Sequence, residues 1–366
     1  MDPSLALSAA GVPYVAYTDS VNNSRLSVVK FEGGAWVNVG SPAFSPLAAF
    51  HPSLALNAAG VPYVAYQDSS RHLKLSVMKF ENDAWTYVGE PGFSAGWTPD
   101  PSLALDVFGT PFVAYRDFDN GYRLSVVKFE KGAWTHVGSR SLFFVSEACE
   151  PSLKLDAAGV PYVAYKDGPH YFAVIKYEGG RWNHVEPADI PSREGNSVSL
   201  ALDAAGAPYV AYNDGARGYK LSVKKFEKGR WSDVGSPGFS PDQVGESSLA
   251  LDAAGTPYVV YVDYNSYKDS HYGTRLSAAK FEKGAWVFLG AQGVFSGIGF
   301  LGEPSLAITA DGVPYVAYSI RDYQDGTHID KFSVKKFDGK EWVSVGTPTI
   351  SSKRVVPPLP PRESKN

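Results

Sequence analysis

The chain of 366 residues is poor in cysteine, in long apolar runs and in net charge. Cys149 is its only cysteine, which excludes an intrachain disulfide and a cysteine-based zinc site. No apolar run approaches the roughly 20 residues that a membrane-spanning helix needs, so membrane insertion is not expected. A net charge of -4 gives no general attraction to nucleic acid. No stretch keeps a helical period of apolar residues, so we do not expect helices to build the fold.

The sequence says little about location. The first repeat begins almost directly after Met1, so we expect no signal peptide within this chain. The single cysteine fits a reducing compartment, and it also fits a secreted protein that needs no disulfides. A secreted or cell-surface location is slightly favoured, with any signal peptide absent from this chain.

One phrase recurs along almost the whole chain. It reads PSLALNAAGVPYVAYQDS from Pro52 and PSLKLDAAGVPYVAYKDG from Pro151. Counted at the residue before each Ser-Leu pair, the copies begin at Pro3, Pro52, Pro101, Pro151, Val198, Ser247 and Pro304. Successive copies therefore start 49, 49, 50, 47, 49 and 57 residues apart.

Each copy contains the same four short segments: SLAL, PYVAY, LSVVKF and a segment centred on tryptophan. These tryptophans are Trp36, Trp85, Trp134, Trp182, Trp231, Trp286 and Trp342. The segments are rich in β-branched and aromatic residues and are bounded by Gly, Pro, Asp and Asn, which predicts strands joined by tight turns. Many are apolar at nearly every position, which is typical of sheets that are covered on both faces.

Four strands in a repeat of about 49 residues are the signature of a propeller blade. We therefore predict an all-β protein, a seven-bladed β-propeller with four-stranded antiparallel blades, because seven blades can close a ring. Length alone would allow two domains, but we expect one domain over residues 3–346. SLAL should be the innermost strand, and the ring should close without a strand exchanged between its ends. Residues 347–366 form a Pro-rich tail, unless 347–356 add an edge strand.

The stretch DAAGVPYVAY resembles the inner hairpin of the propeller repeat named for its Asn-His-Leu motif. The resemblance covers residues 3 to about 346. The sequence departs from that repeat because the Asn-His-Leu triplet is absent and the tryptophan strand differs. The resemblance implies the propeller fold and is nearly silent on function, because propellers include enzymes, lectins and scaffolds.

Two of the four connections in each repeat vary, and the predicted strand order places both on one face of the ring. Loops that contact a partner diversify on a rigid scaffold, so we expect the binding face there. Blade 6 has six extra residues in this region and blade 7 has a smaller insertion. Aromatic rings on exposed loops suit sugars or protein partners, although they can instead pack over neighbouring loops. The candidate ligand-binding residues are Trp97, Tyr264, Tyr267, His271, Tyr272 and Tyr323.

Acidic residues recur just before the first strand, at the predicted mouth of the axial channel. The residues at this position are Asp2, His51, Asp100, Glu150, Ser197, Glu246 and Glu303. Converging carboxylates raise one another's pKa and attract cations, so a metal ion or a cationic group of a partner is a candidate occupant. Alternatively, these acids accept hydrogen bonds from loop amides. The serine that follows in each copy has no repeated histidine partner, so we expect it to form hydrogen bonds near the axis and not to act as a nucleophile.

These features favour a non-catalytic binding module, a monomeric ring that takes a glycan or a protein partner and requires no cofactor. The alternative is a hydrolase or lyase with its carboxylates at the channel mouth. Acid–base catalysis needs carboxylates with different pKa values. Nearly equivalent positions in a repeat are expected to have similar ones, which favours binding.

Overall fold

The computed structural model describes most of the chain and contains seven antiparallel sheets. It describes residues 3–139, 148–167, 171–191, 197–264, 275–291, 295–296, 303–324, 327–347 and 352–354. Tyr267, His271, Tyr272 and Asp2 lie outside the described residues. Within those residues no helix has the length and hydrophobicity needed to cross a bilayer.

The first three blades each consist of four consecutive strands. Blade 1 contains β1 (Ser4–Leu7), β2 (Pro13–Asp19), β3 (Arg25–Glu32) and β4 (Ala35–Asn38). Blade 2 contains β5 (Ala49–Leu56), β6 (Pro62–Asp68), β7 (Lys74–Glu81) and β8 (Ala84–Tyr87). Blade 3 contains β9 (Ser102–Leu105), β10 (Pro111–Asp117), β11 (Arg123–Glu130) and β12 (Ala133–His136).

The other four blades follow the same plan. Blade 4 contains β13 (Ala148–Leu155), β14 (Pro161–Asp167), β15 (Tyr171–Glu178) and β16 (Arg181–Pro191), and blade 5 contains β17 (Val198–Leu202), β18 (Pro208–Asp214), β19 (Lys220–Glu227) and β20 (Arg230–Asp233). Blade 6 contains β21 (Val244–Leu251), β22 (Pro257–Asp263), β23 (Arg275–Glu282), β24 (Ala285–Phe288) and the short β25 (Phe295–Ser296). Blade 7 contains β26 (Ser305–Ile308), β27 (Pro314–Gln324), β28 (Thr327–Phe337), β29 (Trp342–Ser344) and β30 (Ser352–Arg354).

The strand order within each blade follows the chain, from the first strand to the fourth, and neighbouring strands are antiparallel. The predicted seven-bladed propeller of four-stranded antiparallel blades is therefore confirmed. Among the described strands none is exchanged between blades 1 and 7, also as predicted. The additional strands β25 and β30 pair with the third strands of their own blades, so 352–354 adds an edge strand to blade 7.

The hydrophobic core lies between the blades. Each buried cluster combines side chains from two neighbouring blades, as Val64 of blade 2 packs with Ala16 and Leu26 of blade 1. The cluster that contains Val15 and Ala317 joins blade 1 to blade 7. Every blade is thus covered on both faces, which explains why its strands are apolar at nearly every position.

A circle of hydrogen bonds joins the innermost strands. The Leu5 amide of blade 1 donates to Ser305 Oγ of blade 7 at 3.0 Å, which closes the circle. The equivalent bond, from a leucine amide to a serine Oγ, joins each of the six remaining pairs of neighbouring blades. The bonds run from Leu54 to Ser4, Leu103 to Ser53, Leu153 to Ser102, Leu200 to Ser152, Leu249 to Ser199 and Leu306 to Ser248. The repeated serine is therefore a structural acceptor, as the sequence predicts.

A second circle joins the outer strands. Trp36 Nε1 donates to the Val345 carbonyl oxygen at 2.8 Å, across the junction of blades 1 and 7. The other repeated tryptophans make the same contact with the preceding blade, as Trp85 to Val39, Trp134 to Val88, Trp182 to Val137, Trp231 to Val185, Trp286 to Val234 and Trp342 to Leu289. Each such bond contributes about 0.5–1.5 kcal/mol net, and each satisfies a partly buried indole donor.

Candidate functional site

A polar cavity of about 220 Å³ opens at one end of the axis, where the innermost strands begin. The term mouth is used below for the residues that precede the innermost strands and line this cavity. They are His51, Asp100, Glu150, Ser197, Glu246 and Glu303. The prolines and serines that follow them, together with Val198, complete the lining. The described residues of the predicted channel mouth therefore line one cavity.

Irregular backbone brings several of these side chains to the mouth. The pairing of the first two strands shifts register between Phe50 and Ser53, and the same shift occurs in blades 4 and 6. His51, Asp100 and Glu150 have φ angles of 49°, 52° and 50°, in the left-handed region. A non-glycine residue there costs roughly 1–2 kcal/mol. Such strain clusters at sites where the backbone aims a side chain at a ligand.

The Glu150 carboxyl group of the mouth is strongly perturbed. Burial, together with the nearby Glu246, Glu303 and Asp100, raises its pKa to about 8, and Lys166 opposes this effect. Glu150 is half-buried, so water screens these charges only in part. At neutral pH the Glu150 side chain is therefore largely protonated.

His51 and Asp100 are in contact on one side of the mouth. His51 Nδ1 lies 2.9 Å from Asp100 Oδ1, and both side chains are partly exposed. This contact joins blades 2 and 3, and the other described carboxyl groups of the mouth belong to blades 4, 6 and 7. The position in blade 5 is the uncharged Ser197, which is buried.

Tyr264 of blade 6 extends the site beyond the carboxylates. Its hydroxyl lies against Gly245, where a Cβ atom would come within 2.6 Å of the oxygen. Burial raises the pKa of Tyr264, and Glu246 raises it further. Because 38% of Tyr264 is still exposed, an aromatic ring stands at the edge of the mouth. Gly245 allows this approach, since any larger residue would displace the ring.

Trp97 belongs to a separate aromatic cluster on blade 3. Its ring meets Phe118 edge-on at 5.6 Å, and Phe118 meets Tyr122 at 4.8 Å. Trp97 and Phe118 are 39% and 40% exposed, so the rings pack on each other and still face solvent. Arg116 lies over the Tyr122 ring at 4.4 Å. None of these residues lines the mouth cavity. Sequence reasoning missed Phe118 and Tyr122, although their connection, FDNGY, differs from those of the other blades.

The remaining candidates are placed only in part. Tyr323 lies on β27, opposite His328 of β28, so the blade 7 insertion lengthens this hairpin. In blade 6, Tyr267, His271 and Tyr272 are outside the described residues, as is Asp2 of the mouth. Within the part of the chain that the structure describes, no three His, Cys, Asp or Glu side chains are grouped closely enough to hold a metal ion.

The face that carries the mouth is held rigid by buried aspartates at the ends of the second strands. Asp68 accepts hydrogen bonds from the Ser70 amide at 2.9 Å and from Ser76 Oγ at 2.8 Å. It is wholly buried, so the 3-10 turn over Ser69–Arg71 is fixed to the sheet. Related 3-10 turns follow the second strands of blades 1, 3 and 5 at Ser20–Asn22, Phe118–Asn120 and Gly215–Arg217. These loops on the face that carries the mouth are thus fixed to the sheets.

The architecture is that of the β-propellers, and the comparisons with solved structures agree with it. The sequence matches no protein-family model and no curated protein. Among similar structures, an ulvan lyase of a polysaccharide lyase family has a TM-score of 0.54 and 12% identity, over 84% of this chain and 86% of that one. The lectin of Aleuria aurantia, in complex with Fucα1-6GlcNAc, has a TM-score of 0.51 and 13% identity, over 82% and 97%. A puromycin hydrolase has a TM-score of 0.59 and 12% identity over 98% of this chain but only 55% of its own. Identities this low show the fold alone, and the resemblance to Asn-His-Leu repeats stays a prediction.

Proposed function

We propose that this protein is a non-catalytic binding module whose glycan or protein ligand places a positively charged group in the mouth. The observation that carries the proposal is the convergence of Glu150, Glu246, Glu303 and Asp100 on one cavity of about 220 Å³. Like charges held together in a partly desolvated cavity are unfavourable, and a cationic group relieves that repulsion.

The size and the lining of the cavity favour a small organic cation that is part of a larger ligand. A protonated amino sugar or a lysine side chain would offer hydrogen-bond donors to the carboxylates, and charge-assisted bonds of this kind are the stronger class. Tyr264 supplies an aromatic face beside Glu246, suited to the apolar side of either ligand. A lectin among the similar structures is consistent with a glycan. That lectin's specificity is not transferred to this chain.

Removing two mouth charges is expected to weaken binding by about tenfold or more. The variant is Glu246→Gln with Glu303→Gln, and a charge-assisted hydrogen bond is worth about 1.5–3 kcal/mol. The probes are glucosamine oligomers, with the neutral N-acetylglucosamine oligomers as their matched control, and lysine-rich peptides. Calorimetric titration of each probe measures the affinity and separates a glycan ligand from a peptide ligand.

A matched control variant carries the same change of net charge far from the mouth. Glu81 and Glu130 lie at the ends of third strands, on the face opposite the mouth, where they pair with lysines. Glu81→Gln with Glu130→Gln should leave the affinity within about twofold. If both double variants bind a positive probe equally well, or if no charged probe binds the wild type, the proposed site is wrong.

The second candidate is a hydrolase or lyase, and Glu150 is the observation that favours it. Its pKa of about 8 gives it a proton to donate at neutral pH, beside carboxylates that can act as a base. The expectation that repeated carboxylates have similar pKa values does not take the burial of Glu150 into account. Incubation with polysaccharides, followed by chromatography of the products, tests this candidate. Products that Glu150→Gln abolishes would establish catalysis and overturn the non-catalytic proposal. The location of the protein and its monomeric state stay predictions.

A further inference from the structure

The innermost strand of blade 4 carries a lysine at a position where the other six innermost strands carry alanine. Blade 4 has Lys154 in its SLKL segment, where the other blades have Ala6, Ala55, Ala104, Ala201, Ala250 and Ala307. Strand β13, which carries Lys154, is the inner edge of its sheet, next to the axis. A ring of seven blades is therefore built with alanine at this level, and the lysine is not needed for closure.

The Lys154 side chain lies within the axial channel. It is exposed to solvent, although its strand is at the centre of the ring and is surrounded by protein. Such a residue can be exposed only toward the channel. Five of the six equivalent alanines are also partly accessible, which indicates that the channel passes this level. A site that water reaches is also within reach of a small anion.

The Lys154 ammonium group has no acidic partner among the described residues, where no ion pair or hydrogen bond involves its side chain. Asp156 lies two residues further along the chain, just after β13, and its Oδ1 accepts from the amides of Ala158 and Val160, both at 2.9 Å. It is therefore committed to the turn that follows. The loss of bulk water around Lys154 lowers its pKa.

We propose that Lys154 forms an anion site inside the axial channel, which takes a halide or the carboxylate of a small molecule. A charge surrounded by protein without a counter-charge is unfavourable, and six alanines show that the fold does not require it. A bound anion supplies the missing partner. The carboxylates of the mouth are separated from Lys154 by the circle of serines, so the site is distinct from the mouth and does not depend on its proposed function.

The variant Lys154→Ala tests the site with little risk to folding, because it restores the residue of the other six blades. Lys340→Ala, in the exposed turn before β29, is the control with the same change of charge. Lys154→Met, which keeps the length of the side chain, is the second variant. The probes are sodium bromide and sodium formate, each added to the full-length protein at a series of concentrations.

In solution, either probe should raise the unfolding midpoint of the wild type, and that of Lys340→Ala equally. This rise should exceed the rise for Lys154→Ala by at least about 2 °C. A response to formate alone would identify a carboxylate site, and a response to both a general anion site. In crystals soaked in bromide, an anomalous peak should lie beside Lys154 Nζ and be absent from both Lys154 variants. Equal midpoint responses in all variants would overturn the proposal. An anomalous peak observed together with such equal responses would mark an adventitious ion only.

Discussion

Replacing Gly40 with alanine is expected to destabilise the protein by about 3–5 kcal/mol, because this residue lies where blade 1 meets blade 2. A Cβ atom at Gly40 would come within 2.5 Å of Phe80 Cε2 and 3.3 Å of Trp85 Cδ1. Overpacking of this kind costs about 1–3 kcal/mol. The φ angle of 72° adds roughly 1–2 kcal/mol for any side chain. Displacing Trp85 would also weaken its hydrogen bond to the carbonyl of the adjacent Val39.

Gly34 provides the matched control in the same blade. Its φ angle is 84°, and nothing lies within 4 Å of an added Cβ atom. Gly34→Ala should therefore show only the backbone cost of about 1–2 kcal/mol. Denaturant unfolding of both variants measures the difference. Equal losses of stability would mean that the junction adapts to the methyl group and that the blade contact is looser than the structure indicates.

The sequence predicted the ring well because the signals that define it are local and are repeated seven times. Apolar segments such as PYVAY identify strands covered on both faces, and the spacing of the Ser-Leu pairs identifies the blade. The role of the serine also followed from its small size and the absence of a histidine partner. The circle of tryptophan hydrogen bonds could not be predicted from the sequence. Trp85 and Val39 are 46 residues apart, and only the curvature of the ring brings them together.

The candidate site was predictable in position but not in its chemistry. The spacing placed Asp100, Glu150, Glu246 and Glu303 at one mouth, yet in the sequence these carboxylates look equivalent. Burial and the facing charges make Glu150 different, and both depend on side chains from three other blades. The contact of Tyr264 with Gly245 likewise depends on the irregular start of β21. Differences between blades in a repeat protein are set by packing, which a repeat pattern does not encode.

The clustered carboxyl groups of the mouth are a source of instability in the free protein. Four carboxyl groups share a small cavity, and Glu150 keeps its proton because ionisation there would add a further charge. Binding of a cationic group would favour the ionised form and release that proton. The proposed ligand affinity and the stability of the free protein therefore depend on the same titration.

Glu150→Gln is accordingly expected to be more stable than the wild type at alkaline pH. The pKa of Glu150 is about 8 in the folded protein and about 4.5 when unfolded. The contribution of the protonated Glu150 to the stability of the folded protein is thus fully present below pH 4.5. It is lost as the pH rises through 8. Each pKa unit corresponds to about 1.4 kcal/mol, so after allowance for screening the advantage of glutamine should grow by about 3 kcal/mol between pH 4.5 and 8.5. Denaturant unfolding at several pH values measures this difference in the free energy of unfolding between Glu150→Gln and the wild type.

Two controls separate this titration from a general effect of charge. Glu130 is partly exposed, and its pKa is lowered by Lys128, so Glu130→Gln should gain no advantage between pH 6 and 8.5. In the Glu246→Gln and Glu303→Gln background, the benefit of Glu150→Gln should shrink and its window should move to lower pH, because two of the charges that raise the Glu150 pKa are gone. A constant difference between Glu150→Gln and wild type at every pH would show that folding does not raise the pKa of Glu150.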